Sequence, residues 1–165
     1  HKMFDLPDGR DVSAELAALG AGTNAFTSYD MTAYYISCTE NFDECFKILL
    51  DFVQTAFVYE YDDKVWGGDR ALFAEESLFY PYCDCEDRSI LYSRLVRDLL
   101  GLDVILVYYP GHLATAVKFE EQLKGDYIQL GSDKYLVCDP TYIGACIGMT
   151  MPDMDNNSAK VILLK

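Results

Sequence analysis

Apolar and polar positions follow two periods along this chain, and the switches between them mark out its elements. Residues 11–20, DVSAELAALG, set Val12, Leu16 and Leu19 at helical spacing and stop at Gly20, which predicts a short helix. The stretch 25–39, AFTSYDMTAYYISCT, is rich in Thr, Tyr and Phe and predicts a strand, or a hairpin bending near Ser28 to Asp30. Asn41 stands where it would cap a second helix, NFDECFKILLDFVQTAF. Its Phe42, Cys45, Phe46, Leu49, Leu50, Val53 and Phe57 make a wide apolar face that belongs to a core.

Residues 58–70, VYEYDDKVWGGDR, break the pattern with a charge run and the Gly67-Gly68 pair, which predicts a joint between two lobes. Beyond it ALFAEESLFY is compatible with a helix, Pro81 interrupts, and Asp84 to Leu100 carry the strongest helical pattern in the chain. Ile90, Leu91, Leu95, Val96, Leu99 and Leu100 lie in adjacent rows, Asp84 and Asp87 have capping-box-like spacing, and Gly101 closes the helix. Strands follow at 103–109, 112–119, 126–130 and 134–139, with GSDK as a hairpin turn between the last two. The fold class is therefore α+β: a helix bearing a cysteine packed on an antiparallel sheet, preceded by a small helix-strand-helix unit. The domain division expected is 1–57 and 58–165.

Charge and composition narrow the partners. At 165 residues and 51% apolar content the chain can bury a core as one compact domain or two small lobes. Its 13 basic and 27 acidic residues leave a formal charge of −14, which disfavours nucleic acid and anionic membrane and favours basic or neutral partners. No apolar run reaches the roughly 20 residues of a spanning helix. A soluble chain is expected, cytoplasmic or exported. Because it begins at His1, with its first methionine at Met3, it reads as a fragment or a processed form.

Six cysteines, Cys38, Cys45, Cys83, Cys85, Cys138 and Cys146, form an even set in apolar contexts, and reduced thiols are expected. The pair Cys83 and Cys85 poses the choice among a metal clip, half of a disulfide framework and a nucleophile. A C-x-C spacing is tight for zinc, and only His1 and His112 are present as histidines, so no metal or organic cofactor is expected. Cys85 falls on the first turn of the predicted helix, where unpaired backbone N–H groups favour a thiolate. A thiolate also needs an imidazole and a group to orient it. His112 opens the strand of "YPGHLATAV", with Ala114 and Ala116 on its face as small neighbours that would leave room for a nucleophile. Asp139 ends the strand of "KYLVCDPTY", where it could equally cap the turn at Pro140-Thr141. The bland readings are a buried structural thiol for Cys83, core packing for Trp66 and Tyr59, Tyr61, Tyr80 and Tyr82, and a solvated acidic cluster at Asp84, Glu86 and Asp87 paired with Arg88.

"DCEDRSILYSRLVRDLLG", "YYPGHLATAV" and "YLVCDPTY" resemble the three successive motifs of the transglutaminase-like superfamily of papain-like cysteine enzymes. The resemblance, over about residues 60–165, implies a triad of Cys85, His112 and Asp139. It implies thiol-dependent acyl transfer or amide and peptide hydrolysis on a peptide or protein substrate. It carries a geometric condition: residues 134–139 must pair antiparallel with 112–119, with DYIQL displaced to an edge, or His112 and Asp139 cannot meet.

The first third is similar to a different group. "HKMFDLPDGR", "LAALGAGTNAFTSYDMTAYYISCT" and "NFDECFKILLDFVQ" resemble the segment after the zinc motif of the insulinase and pitrilysin metallopeptidases. If His1 is the last histidine of H-x-x-E-H, the first histidine and the glutamate are missing, and zinc chemistry is out of reach. Two resemblances meeting near "DFVQTAFVYEYDD" imply a recombined or engineered chain in which residues 1–57 are scaffold. The alternative function is a catalytically silent chimera that self-associates as a homodimer through an uncovered sheet edge or helix face.

Overall fold

The computed structural model describes residues 9–27, 32–37 and 40–164. Asp11 accepts the Ala14 N–H at the start of α1 (Val12–Ala18), which buries Val12 and Leu16. Strands β1 (Gly22–Thr27) and β2 (Thr32–Ser37) pair antiparallel from Gly22 opposite Ser37 to Thr27 opposite Thr32. The antiparallel pairing is that of the expected hairpin; residues 28–30, where its bend is expected, lie outside the described residues. Helix α2 (Phe42–Thr55) follows. Asn41 stands at its N-cap position but does not cap it: the residue is left-handed at φ 55°, and its Nδ2 donates to Leu19 O. The side chain thereby ties the start of α2 to the end of α1.

The joint expected at 58–70 is ordered structure. Strand β3 (Val58–Tyr59) leads into α3 (Asp62–Val65), α4 (Ala74–Phe79) and β4 (Tyr82–Cys83), and β3 pairs in parallel with β4. This ladder of two residues per strand carries little sequence signal, since neither strand is long enough to show alternation. Helix α5 (Cys85–Leu100) then begins as its pattern predicts. The Asp84 carboxylate accepts the Glu86 and Asp87 N–H groups, Asp87 accepts the Asp84 N–H in return, and Gly101 closes the helix at φ 67°.

Five antiparallel strands complete the fold: β5 (Val104–Tyr109), β6 (His112–Val117), β7 (Tyr127–Leu130), β8 (Asp133–Cys138) and β9 (Lys160–Leu163), in the spatial order β7-β8-β6-β5-β9. The pattern did not reveal β9. Thr115 lies opposite Cys138 and Val117 opposite Leu136, so β8 pairs directly with β6 and β7 moves to the edge. The pairing condition for His112 to meet Asp139 is satisfied, and the α+β class holds.

Alternation along the strands gives the sheet two apolar faces. Val104, Val117 and Cys138 join a core with Val12, Leu16, Phe46, Leu50, Val53, Leu91, Tyr92 and Val96, which welds α1 and α2 to α5 and the sheet. The opposite face gathers Ile105, Val107, Tyr109, Ala114, Ala116, Ile128, Tyr135 and Val137. Ala114 and Ala116 are fully buried in this second cluster, where they serve packing.

Gly125 and Gly148 fix the loop that crosses the end of β8. A Cβ on Gly125 would stand 2.5 Å from Gly148 Cα. The close approach lets Asp126 N donate to Gly148 O at 2.8 Å and Gly148 N to Val137 O at 2.7 Å. Gly125→Ala is expected to destabilise the fold by about 2–4 kcal/mol, since it adds that clash to a positive φ. Urea denaturation checks this, with Gly68→Ala, where a Cβ would meet open space, as the comparison.

Candidate functional site

Three elements deliver the three candidate residues to one place. Cys85 is the first residue of α5, His112 the first of β6, and Asp139 directly follows β8. Continuing the β6–β8 register sets position 139 opposite 114, one same-face step from His112. His112 Nε2 lies 2.7 Å from Asp139 Oδ2, with the two side chains 7% and 2% exposed. The other Asp139 oxygen accepts the Thr141 N–H at 2.8 Å and the Tyr142 N–H at 3.3 Å. The turn-capping role and the contact with His112 thus coexist in one carboxylate.

Cys85 stands beside His112, near enough to act on its titration. Burial alone would lower the His112 pKa. Asp139 and Cys85 outweigh it and raise the imidazole to about 9. Behind the ring, Tyr109 stacks on His112 at 6.3 Å and 17°, donates to Asn156 Oδ1 at 2.6 Å, and is itself pushed up to about 12 by burial first and then by Asp139 and other carboxylates. Burial raises Cys83 to about 11, against the opposing pull of Arg88, and raises Cys138 far above the ordinary thiol range. Cys83 is a buried structural thiol, as its bland reading held. The cysteines Cys45, Cys83, Cys85, Cys138 and Cys146 are all unbridged, and Cys38 lies outside the described residues.

Two residues contradict or escape the pattern. Arg88 does not pair with the acidic cluster. It is 1% exposed and donates through Nη1 to Gln54 O at 2.9 Å and through Nη2 to Phe57 O at 2.8 Å. Its position one turn into α5 points it at the open carbonyls ending α2, acceptors that the guanidinium N–H groups satisfy. Gln54, also 1% exposed, donates to the backbone oxygens of Asp139 at 3.0 Å and Ala145 at 3.2 Å and accepts the Gly144 N–H at 3.0 Å. The sequence held a signal for it: Gln54 is a polar residue directly after the apolar pair Phe52-Val53.

Among the described residues no group of three or more His, Cys, Asp or Glu is placed to hold a metal. His1 lies outside them. Among the same residues no helix is long and apolar enough to cross a membrane.

Comparison with known proteins finds similarity to zinc peptidases over part of the chain. A family model described as Insulinase (Peptidase family M16) matches residues 5–61. The protein named "Uncharacterized zinc protease YmfH" of Bacillus subtilis (strain 168) is 35% identical over 80 residues, 48% of this chain and 18% of that protein. The chain thus matches under one fifth of that relative's length. The insulinase-like resemblance of the first segment is supported by both findings. The transglutaminase-like resemblance is supported by neither, and the Cys-His-Asp acyl-transfer or hydrolase function drawn from it is overturned: the similarity found is to a zinc protease. The physical reason is that each of the three motifs also has a local structural cause. Asp84 and Asp87 close a capping box, Pro110-Gly111 turns β5 into β6, and Asp139 caps the turn that Pro140 forces.

The raised His112 pKa makes a sign-definite prediction. The folded value of about 9 lies above the ordinary 6.5, so the stabilisation is full below about pH 6.5 and is lost as pH rises through 9. Chemical denaturation across that window is expected to show a loss on the order of 3 kcal/mol. In Asp139→Asn, burial acts with less opposition, and the imidazole followed by NMR is expected to titrate well below its parent value, with the pH dependence of stability flattened.

Proposed function

We propose that this chain is a metallopeptidase-like fragment in which residues 1–57 act as a scaffold for a core at 58–165, rather than as a zinc-catalytic lobe. We propose also that Cys85, His112 and Asp139 form the reactive group of that core: a thiol beside a buried imidazole that a carboxylate orients. The observation that carries the reading is Gln54. It lies inside the segment that matches the insulinase family, and it holds Asp139 and the loop after it through three hydrogen bonds, two of them buried. Arg88, one turn after Cys85, anchors on the same stretch from the other side. The segment therefore supports both ends of the cluster.

The metal chemistry of the similar zinc protease does not transfer to the described residues. A catalytic zinc needs three protein ligands and an open position, and no such set is present there. The described chain holds one imidazole, His112, and Asp139 occupies it.

Gln54→Ala leaves two carbonyls and one N–H unpaired, so a loss of about 2–4 kcal/mol is expected. In the fraction that stays folded, iodoacetamide alkylation of Cys85 should change by about threefold or more as His112 and Asp139 separate. Glutathione alkylated in the same mixture serves as the reference, since Cys146 follows Ala145 in the loop that Gln54 holds. Gln54→Glu, which keeps an acceptor for Gly144, covers the case in which the alanine variant fails to fold. Unchanged Cys85 reactivity in both variants refutes the support role. Stoichiometric zinc uptake from a chromophoric chelator refutes the non-zinc reading.

A further inference from the structure

The surface around Cys85 has a chemistry of its own. Val58, Tyr59, Tyr61, Phe73, Phe79 and Tyr82 all come from the stretch before α5, and all are exposed large apolar side chains. The β3–β4 ladder sets Val58 beside Tyr82 and Tyr59 beside Cys83. Tyr59 meets Tyr61 edge to face at 5.5 Å, Trp66 meets Tyr80 at 4.7 Å, and Tyr59 stands beside Cys85. Exposed aromatic surface at this density marks an interaction site more often than it marks packing.

Its charge indicates the partner. Residues 58–86 carry Glu60, Asp62, Asp63, Asp69, Glu75, Glu76, Asp84 and Glu86 against Lys64 and Arg70, and the bonds of Arg70 N–H to Asp62 and Leu72 N–H to Asp87 draw this stretch against the start of α5. Lys64 pairs with Glu60 and Arg70 with Glu76, and neither cation neutralises Asp69 or Glu86. The rings already hold cations of the chain itself. Lys64 Nζ lies 5.7 Å from the Tyr61 centroid, and the Arg70 guanidinium lies 5.2 Å from the Trp66 ring.

We propose that this aromatic and acidic surface, spanning residues 58–86, docks a basic peptide segment alongside Cys85, with the aliphatic stems of its Lys or Arg side chains against the exposed rings and their charges facing Asp69 and Glu86. A neutral segment would lose the electrostatic part of the attraction, and an acidic or polyphosphate partner would be repelled. The inference rests on the surface alone and requires neither the scaffold role of residues 1–57 nor reactivity at Cys85.

The test titrates the intact chain with octapeptides alternating glycine with lysine, serine or glutamate, following the fluorescence of Trp66, its one tryptophan, and the heat of binding. The lysine peptide is expected to bind, and to weaken about fivefold or more between about 50 and about 300 mM salt. The double variant Asp69→Asn with Glu86→Gln should weaken it about fivefold, and Tyr61→Ala about threefold. Glu120→Gln with Glu121→Gln removes the same charge from a loop outside this surface and should leave affinity unchanged. Equal weakening by both double variants overturns the proposal, because the attraction is then that of the net charge alone. Equal binding of the serine peptide, or no binding of the lysine peptide, overturns it as well.

Discussion

The burial of α2 against α5 is the constraint on which the rest depends. Phe46, Leu50 and Val53 from one helix and Leu91, Tyr92 and Val96 from the other share a core with Val104, Val117 and Cys138 of the sheet, all at or below about a twentieth exposure. At roughly 1.5–3 kcal/mol for each fully buried large apolar side chain, this contact outweighs any single polar bond nearby. It sets the height of α5 above β6, and so the distance of Cys85 from His112.

Polar groups inside that contact convert packing into position. Gln54 and Arg88 lie at 1% exposure, where an unmet donor or acceptor costs about 1–3 kcal/mol. Their partners are backbone groups: the carbonyls of Gln54, Phe57, Asp139 and Ala145 and the N–H of Gly144. Backbone partners cannot swing away as side chains can, so α2, α5 and the loop after β8 are held in one arrangement. That is why a segment with insulinase-type similarity bears on Cys85, His112 and Asp139, although it supplies none of them.

The charge around the cluster is divided by the fold. Inside, burial lowers the His112 pKa, and Asp139 with Cys85 outweighs it and raises the imidazole. Outside, residues 58–86 carry exposed apolar and aromatic side chains together with eight carboxylates and two cations. A field of one sign beside low-dielectric aromatic surface attracts and orients a cation before contact.

The chain's own pattern settled the elements whose causes are local. The Asp84 and Asp87 box, the Gly101 stop, the apolar face of α2 and the alternation of β5, β6 and β8 need only neighbouring residues, and each stands where its spacing puts it. The β6–β8 pairing entered only as a condition of the triad that the resemblance implied, since a plain meander would hold His112 and Asp139 apart; the register itself came from the tertiary structure. Not legible were β9, the short β3–β4 ladder and the partners of Asn41, Gln54 and Arg88. Their bonds join residues 22 to 91 positions apart or rest on strands too short to show a period. Function was misjudged for a related reason. A capped cysteine, a hairpin histidine and an aspartate before proline are each produced by local structure, so their order in the chain does not name a family. Sequence determined what could form locally; only the tertiary structure decided which distant groups the buried core would bring within bonding reach.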